Sequence, residues 1–140
     1  MTVIAAARST GRPGYSKTLP CEAESARTAR TLVSTALVAW GLDVVADDCT
    51  LVVSELVANA VQHTKCHNIR VTITRLGPGL VRIDVVDKSR AKPVRRTARD
   101  DEVPGRGLAL VEALTTRWGT DLQGSWGKSV WAEWEAGGTS

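Results

Sequence analysis

The chain has 140 residues, 43% hydrophobic and 24% charged, a length and balance that predict one globular domain and exclude disordered, collagen-like or repeat-only architectures over most of it. No apolar run approaches the roughly 20 residues of a membrane span, and the first residues lack both the charged lead-in and the apolar stretch of a secretory signal, so a cytoplasmic protein with no membrane contact is expected. The net charge of +3 is weak grounds for a nucleic-acid partner, and three cysteines without framework spacing predict no disulfides.

Residues 1–14, small-residue rich and closing on Gly11, Pro13 and Gly14, predict a flexible tail; the domain is expected over 15–136, with 137–140 a second tail. After a short polar-apolar stretch over 15–19, Pro20 with Glu22 and Glu24 marks a helix start, because acids suit the outward-pointing amides of a first turn. Ala26, Ala29, Val33, Ala36, Leu37 and Trp40 recur at helical spacing, and Gly41 ends the run. Asp43 is placed to cap a second helix reaching about Thr64, with Asp47 and Asp48 near its first turns. On that helix Cys49, Val53, Leu56 and Ala60 make a core face. Glu55, Asn59 and His63, each step turning by only about 40°, line the stripe beside it.

From Ile69 the period becomes two: Ile69, Val71 and Ile73, then after Gly77, Pro78 and Gly79 the set Val81, Ile83 and Val85, predict a hairpin with one apolar face. Residues 88–104 hold six cations against three acids, hence the whole net charge, and read as a long surface loop. Gly105, Arg106 and Gly107 open a third helix through Leu108, Val111 and Leu114 to about Arg117, and two strands around a Gly124/Gly127 turn close the chain. Of the tryptophans there, Trp131 is assigned to the core. The element order predicts an α+β fold with helices on one side of an antiparallel sheet.

Glu55 and Asn59 offer a carboxylate and an amide oxygen on one helical stripe. A hard cation such as Mg²⁺ takes oxygen ligands partly from nucleotide phosphates, which suits Asn59. A carboxylate one turn away is placed to deprotonate a hydroxyl attacking a terminal phosphate, which suits Glu55. Asp87, ending an apolar strand, could accept from an exocyclic amine, and the amides opening the helix at Gly105 and Gly107 could hold phosphate.

Together these residues resemble the GHKL ATPase superfamily of gyrase, heat-shock chaperone and histidine kinase ATP-binding domains, most closely its stand-alone bacterial anti-sigma-factor serine kinases. Residues 55–63 resemble the N box, which implies Glu55 as base, Asn59 on Mg²⁺ and His63 in the cofactor site. Asp87 lies where the family aspartate contacts adenine; Gly105, Arg106, Gly107 and Leu108 resemble the box beside the phosphates; Ser129, after Gly127 and Lys128, stands for a threonine; and residues 88–104 would be the ATP lid. The segment after Asp87 departs from the family pattern, with Lys88, Ser89, Arg90 and Ala91 and neither usual glycine.

The resemblance implies a two-layer α/β sandwich, the Bergerat ATP-binding fold, with a mixed, mainly antiparallel sheet. It implies ATP and Mg²⁺ as cofactors, and a homodimeric kinase that binds a sigma factor and phosphorylates a serine of a small antagonist protein. The alternative is a nucleotide-weak or inactive protein of the same fold that sequesters a sigma factor or other regulator. A zinc site at His63, Cys66 and His67 lacks a fourth ligand, and the basic loop carries no interleaved aromatic residue for nucleic acid.

Overall fold

The computed structural model describes residues 4–7, 12–63, 67–87, 105–122 and 127–136. The expected loop or lid over 88–104 and the tail over 137–140 lie outside them, as do Cys66 and Trp126. Among the described residues six strands form one sheet: β1 (Ile4–Ala7), β2 (Pro13–Pro20), β3 (Asn68–Gly77), β4 (Leu80–Asp87), β5 (Arg117–Leu122) and β6 (Lys128–Glu135), in the order β1-β2-β3-β4-β6-β5. Every pairing is antiparallel. Helices α1 (Ser25–Ala39), α2 (Ala46–His63) and α3 (Gly105–Leu114) make up the other layer.

Alternation along the strands builds the core. Ile69, Val71 and Ile73 of β3, Val81, Ile83 and Val85 of β4, and Val130, Ala132 and Trp134 of β6 are buried on one face, against Ala29, Val33 and Leu37 of α1 and Val52, Val53, Leu56 and Val57 of α2. Each large side chain buried this way stabilises the fold by about 1.5–3 kcal/mol. Leu37 also helps to end α1 at Ala39: Leu42 N donates to Leu37 O at 2.8 Å and Gly41 N to Val38 O at 3.0 Å, with Gly41 at φ +72°. This is a Schellman ending, and glycine takes its left-handed position without a Cβ penalty.

Four expectations are corrected. The tail over 1–14 contains β1, and Pro13 and Gly14 belong to β2. β1 pairs with backbone groups of β2 that would otherwise form the sheet edge, a demand that one isoleucine and three alanines do not show as periodicity. Helix α1 begins at Ser25 rather than at Pro20, because Cys21 N still donates to His67 O in strand fashion and the Ser25 hydroxyl donates to Pro20 O at 2.6 Å. Asp43 opens a 3-10 turn, Asp43–Val45, ahead of α2.

The fourth correction concerns Trp131. It stands three residues from the core residue Trp134, so in a strand of period two the pair must point to opposite faces. Trp131 lies half-buried on the face without helices, its ring 4.4 Å from the Arg82 guanidinium carbon. Arg82 also meets Asp84 at 3.0 Å and Glu133 at 3.2 Å, and Glu133 meets Arg117 at 2.8 Å, which makes this outer face a connected charged surface. Burial by itself would lower the Arg82 pKa, but the hydrogen bonds and charges of Asp84 and Glu133 outweigh it and hold the guanidinium above its ordinary value.

Candidate functional site

Chain reversals bring the ends of three elements together. Helix α2 packs on β4 and ends at His63, and β3 begins at Asn68, so Asn59 and His63 lie at the end of the sheet where β3 starts. Ile69, second in β3, pairs with Asp87, the last residue of β4, and Asp87 pairs in turn with Lys128, the first of β6. Helix α3 reverses into β5 through Thr115 and Thr116 alone. Since β5 runs from Glu133 toward Lys128, the N-terminus of α3 at Gly105 faces the Asp87 end.

The other end of α3 is tied down by side chains. Trp134 Nε1 donates to Leu114 O at 2.7 Å, and the Thr115 hydroxyl donates to Val111 O at 2.8 Å. The helix therefore stops at Leu114, ahead of the expected Arg117, because β-branched Thr115 and Thr116 favour leaving it and Thr116 N already donates to Glu133 O. Counting back nine residues at 1.5 Å puts Gly105 about 14 Å from that anchor.

Glu55 and Asn59 are half-buried, flanking the buried Leu56 and Ala60. They are reachable from solvent, yet their backbone is held by the core face of α2. Both offer hard oxygen donors, which suit Mg²⁺ rather than a softer metal. His63 and residues 105–108 belong to α2 and α3, while the side chains of His63, Arg106 and Leu108 lie outside the described ones. Among the described residues no cluster of three or more His, Cys, Asp or Glu could hold a metal by itself.

Asp87 is buried on the inner face, continuing Val81, Ile83 and Val85. Ser129 does not join it. Directly paired residues of antiparallel strands share a face; Ser129 pairs with Val86, so it points to the outer face, where its hydroxyl donates to Asp84 Oδ2 at 3.2 Å. The β6 residue that shares a row and a face with Asp87 is Lys128, which the sequence reading passed over. Parity counted back from Trp134 reaches it once pairing with β4 has fixed Trp134 as the core residue. A groove of about 100 Å³ between α1 and β2, touching Tyr15, Leu32 and Ala36, shares no residue with this site.

Residues 19–134 match the histidine kinase-like ATPase domain family, and the chain belongs to that family. The match runs from Leu19 of β2 to Trp134 of β6 and includes every element of the site. It makes this an ATP-binding class of domain. No curated protein matches the chain closely. Among the described residues no helix is long and apolar enough to cross a membrane.

Proposed function

We propose that this chain is an ATP-binding regulatory kinase of the anti-sigma-factor type, transferring the ATP γ-phosphate to a serine of a protein antagonist. The observation that carries the reading is the meeting, at one end of a sandwich of this family, of the Glu55 and Asn59 flank of α2, Asp87 at the end of β4 and the N-terminus of α3. Asp87 accepts from the exocyclic amine of adenine. The first amides of α3, at Gly105, Arg106, Gly107 and Leu108, hold the phosphates, aided by the partial positive charge of a helix N-terminus. His63 completes the cofactor side of α2.

Asn59 would hold Mg²⁺, which when bound neutralises phosphate charge. Glu55 takes the proton of the serine hydroxyl as its oxygen bonds to the γ-phosphorus and the bond to the bridging oxygen breaks, leaving ADP and phosphoserine. The cations of residues 88–104 would face the polyphosphate. A homodimer, a sigma factor and a small antagonist protein are the partners this reading entails.

A second reading follows from Lys88, Ser89, Arg90 and Ala91, which stand where close backbone approach to the nucleotide favours glycine. On that reading the same fold sequesters its partner without nucleotide. Thermal unfolding with and without Mg·ATP separates the two. Ligand at about 100 times its dissociation constant adds roughly 2.7 kcal/mol, a rise of roughly 5–10 °C. A Mg²⁺-dependent rise in the wild type that Asn59→Ala loses supports the kinase reading; no rise at millimolar ATP selects sequestration.

A further inference from the structure

We infer that the corner where α1 turns into α2 is a docking surface for a basic amphipathic helix of a partner protein. Among the described residues the large hydrophobic side chains that stand exposed are Val38, Val44 and Leu51, at 61%, 80% and 45%. Exposed apolar residues scattered singly over a surface are ordinary. These three instead fall together, on the last turn of α1, the 3-10 turn Asp43–Val45 and the second turn of α2. α1 packs against that 3-10 turn, and α2 follows it directly. Val45 and Ala46 beside them pack against the core, whereas Val38, Val44 and Leu51 do not, so their apolar surface stays in water until another molecule covers it.

The charge around this corner selects the partner. Residues 31–64 carry Asp43, Asp47, Asp48 and Glu55 and no lysine or arginine, although the whole chain is net +3. Asp47 and Asp48 precede Leu51 by four and three residues, hence stand beside it on the surface of α2. Asp43 opens the 3-10 turn next to Val44. All three aspartates are exposed and make no ion pair among the described residues. An apolar patch with this acidic rim complements a helix whose apolar stripe is flanked by lysine or arginine. The same rim repels nucleic acid and anionic lipid. Ala46 lies about 20 Å along α2 from Asn59, so the helix docks away from the proposed nucleotide site, and the inference stands independently of the ATP reading.

The test is fluorescence anisotropy with a labelled helical peptide of leucine and lysine, its leucines on one face, against a peptide of the same composition with the leucines dispersed. Wild type is expected to bind the first and not the second. Val44→Ser/Leu51→Ser, whose side chains are exposed and whose fold circular dichroism checks, is expected to bind the amphipathic peptide about tenfold or more weakly. Asp47→Asn/Asp48→Asn is expected to weaken it by about three- to tenfold and to flatten its salt dependence. Glu22→Gln, at the other end of α1, should keep the wild-type affinity. Equal binding of the two peptides, wild-type affinity in both double variants, or no binding by the wild type overturns the inference. Sedimentation that shows a wild-type dimer, made monomeric by Val44→Ser/Leu51→Ser, also overturns it and gives this face to a second copy of the chain.

Discussion

Trp134 Nε1 and Leu114 O, 2.7 Å apart, join the core face of β6 to the last carbonyls of α3. The indole supplies both core volume and the donor that a helix C-terminus otherwise lacks. Trp134→Phe keeps much of the volume and removes the donor, leaving a partly buried carbonyl unsatisfied. The expected loss is about 1–2 kcal/mol, read as a fall in Tm of about 3–8 °C. Amide exchange in α3 should quicken more than in α1, which has no contact with Trp134 through this bond. Equal quickening in both helices would mean that the bond does not anchor α3.

Cys49 is fully buried, and burial, with the Asp48 charge adding to it, pushes its thiol far above the ordinary range. Unfolding exposes a thiol that ionises near pH 8.5. The unfolded state then holds fewer protons than the folded one, so stability falls as pH rises beyond about 8.5, by up to about 1.4 kcal/mol per unit. Cys49→Ala should be less stable at neutral pH because of the cavity and should lose this part of the alkaline slope. Denaturant unfolding of both proteins from pH 7 to 10 measures it, and parallel curves would contradict the assignment. The same burial should keep Cys49 unreactive toward thiol reagents until the protein unfolds.

On the outer face Gly119 makes room for Trp131. A Cβ at Gly119 would stand 2.7 Å from Trp131 Cζ2, so Gly119→Ala must displace the indole from under Arg82, at a cost of about 1–3 kcal/mol. With Trp131→Ala already in place the same substitution should cost almost nothing, and the double-mutant cycle reads the coupling. Additive effects would show that the two positions do not touch. Near-UV circular dichroism should report the displaced ring in Gly119→Ala.

The inner layer was legible because its signals are periodic. The stripe from Ala26 to Trp40 and the alternation from Ile69 to Val85 each repeat one physical requirement several times; the structure buries Ala29, Val33, Ala36 and Leu37 with the strand set, and leaves Ala26 and Trp40 partly buried against them. Single-residue features were harder. Trp131 looked like core by chemistry, but parity relative to Trp134 decides its face, and only pairing to a neighbour fixes parity in a strand with apolar residues on both sides. Ser129 follows the same rule: its pairing with Val86 sets it on the outer face, and the β6 residue level with Asp87 is Lys128. β1 was illegible because its four residues gain their hydrogen bonds from β2 rather than from any pattern of their own.

Glu55 gives the sharpest test of the chemistry. Its carboxylate is half-buried on the flank of α2 one turn before Asn59, while its neighbour Leu56 is fully buried, so Glu55→Ala removes the proposed base and leaves the packing of α2 in place. General-base removal lowers a proton-transfer step by about 10²–10⁴-fold. Phosphate transfer from radiolabelled ATP to a co-purified protein substrate should therefore vanish in practice, while the Mg·ATP-induced rise in Tm stays within a degree or two of the wild-type value. Glu55→Gln, which keeps the size and loses the acid-base function, should behave like Glu55→Ala. Unchanged transfer in both variants would remove Glu55 from the mechanism, and loss of the Tm rise along with transfer would make it a binding residue.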